Sequence, residues 1–224
     1  MKVVIGYIRD DQIGPALDSF RTDRDRVHAI KVNVIDRDAM KAAADEIEHK
    51  FGKIHLLSNN AGIGPLTPMW QTEPKDFDQA VAVNLTGVYN GVHEFLPRIR
   101  RHGEGGHINS TASMAGLVSS PMMAAYNVAK HGVVALMATL ERDLRVRKSA
   151  VRASVLCPGP INTGMTAAIP GEAKELYAKR RVPLRRYGVP EEVAHMTLSL
   201  CLPAASFVNG ASIPVDGGMS IRHT

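Results

Sequence analysis

Apolar residues recur along this chain in two alternating rhythms. Short apolar runs, KVVIGYI (2–8), VHAIKV (27–32), IHLLS (54–58), HINS (107–110), VRASVLC (151–157) and ASIPV (211–215), read as strands. Longer stretches between them follow helical spacing. Residues 38–51 place Met40, Ala44, Ile47 and Phe51 on one stripe, and Gly52 supplies a helix stop. Residues 74–101 and 122–147 read as two long helices, and 190–202 opens on Pro190-Glu191-Glu192, a good helix start. Residues 162–189, punctuated by Gly and Pro, read as an excursion with a short helix over 171–180. Strands alternating with helices predict βαβ units, hence an α/β protein built on a parallel sheet. No internal repeat or low-complexity segment interrupts the pattern.

Composition narrows this little. A chain of 224 residues sets one domain, 1–224, as the expectation. A hydrophobic fraction of 45% and a charged fraction of 22% suit a soluble globule. No apolar run approaches the ~20 residues of a membrane span, so no membrane partner is expected. No signal peptide precedes the first strand. The two cysteines, Cys157 and Cys201, are expected to be buried and reduced, as in a cytoplasmic protein.

The net charge is +5, with basic clusters at 98–102, 142–148 and 179–186. The first two read as solvated helix faces and C-termini. The third, in the excursion, leaves open an attraction for an anionic cofactor or an acidic carrier. The few aromatics do not interleave with these runs, which argues against nucleic-acid binding. None of the nine histidines pairs at zinc-ligand spacing, so no metal is expected.

The chemistry concentrates in SMAGLVSSPMMAAYNVAK. Tyr126 and Lys130 stand four apart, on one face of a helix. Alone, such a pair also fits a half-buried Tyr beside a Lys stretched toward solvent. Ser113, thirteen residues before Tyr126, ends a strand-like run and adds a hydroxyl at the carboxyl edge of the sheet, where α/β ligands sit.

NNAG (59–62), VNLTGV (83–88), STASMAG (110–116), YNVAK (126–130), CPGPINT (157–163) and VNGASIPVDGG (208–218) follow the order and spacing of the short-chain dehydrogenase/reductase family. The resemblance covers nearly the whole chain from residue 2. It is nearest in character to 3-oxoacyl-carrier-protein reductases and to sugar or secondary-alcohol dehydrogenases. It implies a Rossmann-like, doubly wound, three-layer αβα fold, and an NAD(P)-dependent enzyme interconverting a carbonyl and a secondary alcohol. In that reading Tyr126 is the general acid/base. Lys130 favours its phenolate and holds the nicotinamide ribose. Ser113 binds the substrate carbonyl. Asn84 holds a water that links Lys130 to solvent; a helix-interior Asn packed for structure alone is the weaker reading. Asn60, Ala61 and Gly62 pass beside the adenosine ribose, Gly62 allowing close backbone approach. Asn33 and Val34 sit beside the adenine, where the family often has Asp-Val. Pro158 and Gly159 turn the chain, and Ile161 and Thr163 reach the carboxamide and phosphates. A homo-oligomer, dimer or tetramer, is expected through 74–101 and 122–147, where Val88, Val92, Leu96, Val133, Val134 and Met137 extend beyond one apolar stripe.

One family feature has no counterpart. The family opens with a strand, a T-G-x-x-x-G-x-G loop and a helix that receives the pyrophosphate. Here Gly6 and Gly14 are eight apart with no glycine between them. The fitting register makes KVVIGYIRDD the second strand, so the first β-α unit is absent. In the family's sheet order, 3-2-1-4-5-6-7, that strand is central, and its loss predicts unpaired edges on its two neighbours. Either the chain starts at an internal Met of a longer protein or it carries a true deletion; the intact remaining motifs fit the first better. The same register puts Tyr7 where members preferring NAD usually carry Asp, and Arg9 where it can meet a 2′-phosphate. NADP is therefore the expected cofactor, with NAD possible. A reading from another class remains: a non-catalytic relative serving as scaffold or assembly subunit without dinucleotide binding.

Overall fold

The computed structural model describes residues 1–221, Arg21 by its backbone alone. Strands and helices alternate as β1 (Val3–Tyr7), α1 (Asp10–Asp18), β2 (Val27–Lys31), α2 (Arg37–Phe51), β3 (Leu56–Asn59), α3 (Pro74–Val81), α4 (Gly87–Arg101), β4 (Gly106–Thr111), α5 (Ala124–Val146), β5 (Val151–Pro158), α6 (Gly171–Arg181), α7 (Pro190–Cys201) and β6 (Ser212–Val215). Two elements depart from the sequence reading. Helix α1 has Gly14 and Pro15 inside it, residues that ordinarily mark a break. The stretch 74–101 is not one uniform helix: a π-helical turn, Ala82–Thr86, separates α3 from α4.

All strand pairs are parallel, and they form two sheets rather than one. One is β1–β2; the other runs β3-β4-β5-β6. Among the described residues, no strand joins β1 to β3. This is the split that placing Val3–Tyr7 at the second-strand position demands, with an edge of backbone donors and acceptors left on each side. Exposure follows. The inner strands β4 and β5 are mostly buried, while the apolar Val3, Val4 and Ile5 of β1 and Leu56 and Leu57 of β3 are only half covered.

The core lies between β3–β6 and the helices α2, α4 and α5. Ile99, Ile108, Val133 and Met137 are its largest fully buried side chains, with Val155 and Cys157 beneath them. This corrects the sequence reading of α4 and α5. Val88, Val92, Val133 and Met137 are core residues, and Leu96 and Val134 pack against that core, so none of them makes a second outward stripe. A long helix lying across a sheet needs a wide apolar face, and that need exhausts them. The basic run at 98–102 is corrected too. Arg98 is not solvated; it is largely buried among Asp45, Glu48 and Glu94, joining α2 to α4.

A polar chain crosses the sheet. The His107 ring bonds Ser154 Oγ at 2.8 Å, Ser154 Oγ donates to Asn109 Oδ1 at 3.2 Å, and Asn109 reaches Thr197 at 3.5 Å. His107 is buried, and loss of solvent pushes its imidazole down from 6.5 to about 4, with the Arg152 charge adding to the effect. Between those values the unfolded chain binds a proton that the fold refuses. Stability therefore falls as pH drops from 6.5 toward 4, by up to about 3 kcal/mol from this residue. Urea unfolding across that window should show the loss, and His107→Gln should flatten it.

Candidate active site

The site forms at the carboxyl ends of the strands. Strand β4 ends at Thr111, and Ser113 then caps a short turn, Met114–Gly116, its Oγ accepting the Ala115 N–H at 3.1 Å. Helix α5 packs against that turn. A Cβ on Gly116 would sit 2.6 Å from the Lys130 carbonyl oxygen, so only glycine lets the two segments approach this closely. The approach brings Ser113 to the Tyr126 phenol. Tyr126 and Lys130, one turn apart on α5, are both buried, at 8% and 3% exposure.

Burial dominates their electrostatics. Burial raises the Tyr126 phenol above its ordinary value of 10, and the opposing pull comes from Ser113. The Lys130 ammonium instead lies 5.5 Å from the centre of the Tyr126 ring and donates to the Thr111 carbonyl at 2.8 Å. Burial pushes this ammonium down to about 8, so it still carries charge at neutral pH. Tyr126 is thus held protonated beside a buried cation.

Asn84 sits in the π turn, fully buried. Its Nδ2 donates to the carbonyls of Ile63 (2.8 Å) and Ala80 (2.9 Å), and its Oδ1 accepts the Ile63 N–H at 3.1 Å. Asn84 therefore clamps the loop after β3, with one Oδ1 lone pair to spare. Gly62 lies between Asn84 and Lys130: a Cβ there would meet Asn84 Oδ1 at 2.8 Å and Lys130 Nζ at 3.7 Å. Asn60 joins the group through its Oδ1, which accepts from Thr111 Oγ1 at 3.0 Å.

The other predicted residues are distributed around this centre. Gly159 follows β5, bonds Val215 O at 3.1 Å, and packs against Asp216, which a Cβ would contact at 2.8 Å. Ile161 bridges to Gly188, and Pro160, Ile161, Leu184, Val215 and Asp216 line a small adjoining cleft. Thr163 caps the short turn Gly164–Thr166. Val34 packs on Gly87, and its carbonyl accepts from the buried Asn90 at 2.9 Å. The Asn33 side chain turns inward to its own loop, accepting from the Ile35 N–H at 3.3 Å. Arg9 is exposed and paired with Asp11 at 3.1 Å. Pro158 closes β5, and Ala61 lies exposed between Asn60 and Gly62. Thr111 escaped sequence reading, since it contributes a backbone carbonyl; Cys157, expected to be buried, lies beneath Lys130 and Ser113. The Cys157 thiol is pushed up to about 11 by burial and is not a nucleophile.

These residues fit part of a dinucleotide. Gly62, where a side chain would collide, and the buried Lys130 ammonium suit a ribose and its ring. Among the described residues no glycine-rich loop offers backbone amides to a pyrophosphate. The helix nearest in sequence, α1, opens on Asp10 and Asp11, charges that repel one.

Comparison with known proteins identifies the class. Residues 1–220 match the family described as Enoyl-(Acyl carrier protein) reductase. The chain is 35% identical to the 3-oxoacyl-(acyl-carrier-protein) reductase FabG of Thermotoga maritima, over 88% of this chain and 78% of that protein. Against FabG of Aquifex aeolicus it is 32% identical, over 87% and 77%. A solved structure of levodione reductase superposes with a TM-score of 0.92 at 28% identity, covering 99% of this chain and 89% of that one. The chain belongs to the short-chain dehydrogenase/reductase family of oxidoreductases.

Proposed function

We propose that this protein is an NAD(P)-dependent reductase of ketones, acting through Tyr126. The observation that carries the reading is a buried, protonated Tyr126 with the Ser113 hydroxyl at its phenol and the Lys130 ammonium against its ring. When bound, the nicotinamide supplies the hydride for reduction and takes it in oxidation. Ser113 holds the carbonyl oxygen and stabilises the charge that develops on it. Tyr126 gives its proton to that oxygen as the carbon becomes a secondary alcohol. The phenolate left behind is favoured by Lys130, and a water on the free lone pair of Asn84 returns the proton. A phenol raised by burial stays protonated near neutrality, the form that reduction requires. Gly62 and Lys130 would hold the nicotinamide ribose; Asn60, Ala61, Asn33 and Val34 the adenosine end; Pro158, Gly159, Ile161 and Thr163 the carboxamide and phosphates. Arg9, once released from Asp11, would favour NADP.

The names of the relatives point to two substrate classes, a 3-oxoacyl group on an acyl carrier protein or a small ketone such as levodione. Leu66, Met69, Trp70, Met165 and Leu184 are exposed apolar residues on the loops after β3 and β5 and after α6, and they suit such a substrate. NADPH and NADH consumption with both classes tests the reading. Consumption matched by alcohol formation supports it, and none at saturating cofactor favours a scaffold.

We also propose a homo-oligomer, carried by outward residues other than those first named. Tyr89 on α4, Val128 on α5, Leu198 on α7 and Phe207 after it are exposed, Phe207 fully. Light scattering at micromolar concentration should give a dimer or tetramer mass, whereas a monomer counts against it.

A further inference from the structure

At the opposite end of the sheet from Tyr126, the amino ends of β3 and β4 bring together side chains that the reductase chemistry does not use. His55 immediately precedes β3. His102 caps α4, and Glu104 follows in a turn held by Gly103 and Gly105, both in the left-handed region at φ 73° and 83°. His55 and His102 are 47 residues apart in sequence, which is why spacing gave no sign of them. In the fold, one ligating atom from each of His55, His102 and Glu104 lies within 4.8 Å of the others. The His55 Nε2 to Glu104 Oε2 distance is 2.8 Å, and the two imidazole centres are 4.6 Å apart.

The hydrogen bonds around His102 prepare it as a ligand. Its Nε2 faces the Ile54 carbonyl at 2.8 Å. A carbonyl only accepts, so Nε2 carries the hydrogen and Nδ1 holds the lone pair. A ring nitrogen donating to a backbone carbonyl is the usual support of a metal-bound imidazole. Nδ1 now accepts the Glu104 N–H at 3.2 Å, a long bond that an ion would replace. The Glu104 carboxylate faces His55 through Oε2 and Lys53 through Oε1.

We propose that His55, His102 and Glu104 bind a divalent transition-metal ion, zinc by preference, with water completing the shell. Two imidazoles and one carboxylate form a donor set suited to zinc, and the ion would staple the start of β3 to the α4–β4 turn. The competitor is Lys53, whose ammonium pairs with Glu104 Oε1 from an exposed, flexible stem.

The test is calorimetric titration of zinc chloride into the chelator-treated full chain, repeated with cobalt(II) for its visible spectrum. The expected result is one zinc per chain and the intense absorption of four-coordinate cobalt. His55→Ala and Glu104→Gln should each weaken zinc binding about tenfold or more. Lys53→Ala should tighten it by removing the competing charge. All three positions are exposed, and circular dichroism checks that the variants fold. Zinc affinity unchanged in either weakening variant, absence of zinc binding, or a six-coordinate cobalt spectrum would overturn the proposal.

Discussion

Tyr126→Phe is expected to lower turnover by at least about 10²-fold, the lower range for loss of a general acid. The variant keeps the ring against Lys130 and loses only the hydroxyl that faces Ser113. Substrate and cofactor binding should change little, so the loss should appear in kcat rather than KM. Steady-state kinetics with any accepted ketone checks the expectation. Near-normal kcat in the Phe variant would remove Tyr126 from the reaction.

The second large effect concerns the dinucleotide. This 224-residue chain should bind NADPH and NADH weakly, and fusing a strand, glycine-rich loop and helix ahead of Met1 should strengthen binding by orders of magnitude. Backbone amides of such a loop and its helix N-terminus make charge-assisted bonds to a pyrophosphate, worth roughly 1.5–3 kcal/mol each. The described residues offer none of them. The fused strand would also pair the open edges of β1 and β3, joining β1–β2 to β3–β6. A rise in thermal midpoint on fusion should therefore accompany the gain in affinity. Low-micromolar binding by the chain as it stands would show that another segment holds the phosphates. Tighter binding of NADH than NADPH would set aside the role given to Arg9.

Much of this molecule was legible in its sequence because strand and helix periods alternate cleanly. Each apolar run became a strand with ends shifted by a residue or two; IHLLS became Leu56–Asn59. The spacing between Gly6 and Gly14 was legible as wrong for a glycine loop, and among the described residues no strand joins β1 to β3. Helix α1 was hidden by Gly14 and Pro15, whose intrinsic preferences the surrounding fold overrides. The π turn at Asn84 was hidden because one extra residue per turn leaves no trace in a hydrophobic pattern. At the site, Ser113, Tyr126 and Lys130 could be read from their side chains. Thr111 could not, because its part is played by a backbone carbonyl. The outward faces of α4 and α5 were misjudged for a different reason: periodicity says which residues are apolar, not whether a sheet or a partner covers them.

The most direct test follows the hydride. NADPH deuterated at C4 of the nicotinamide, on one face and then on the other, is mixed with the fused protein and a ketone that it consumes. The account predicts one deuterium on the carbinol carbon of the alcohol from one of the two labelled cofactors, mole for mole with cofactor oxidised, and a rate of label transfer at least about 10²-fold lower with Tyr126→Phe. Cofactor oxidation that leaves no deuterium on carbon from either label, or a rate of label transfer unchanged by Tyr126→Phe, would contradict it.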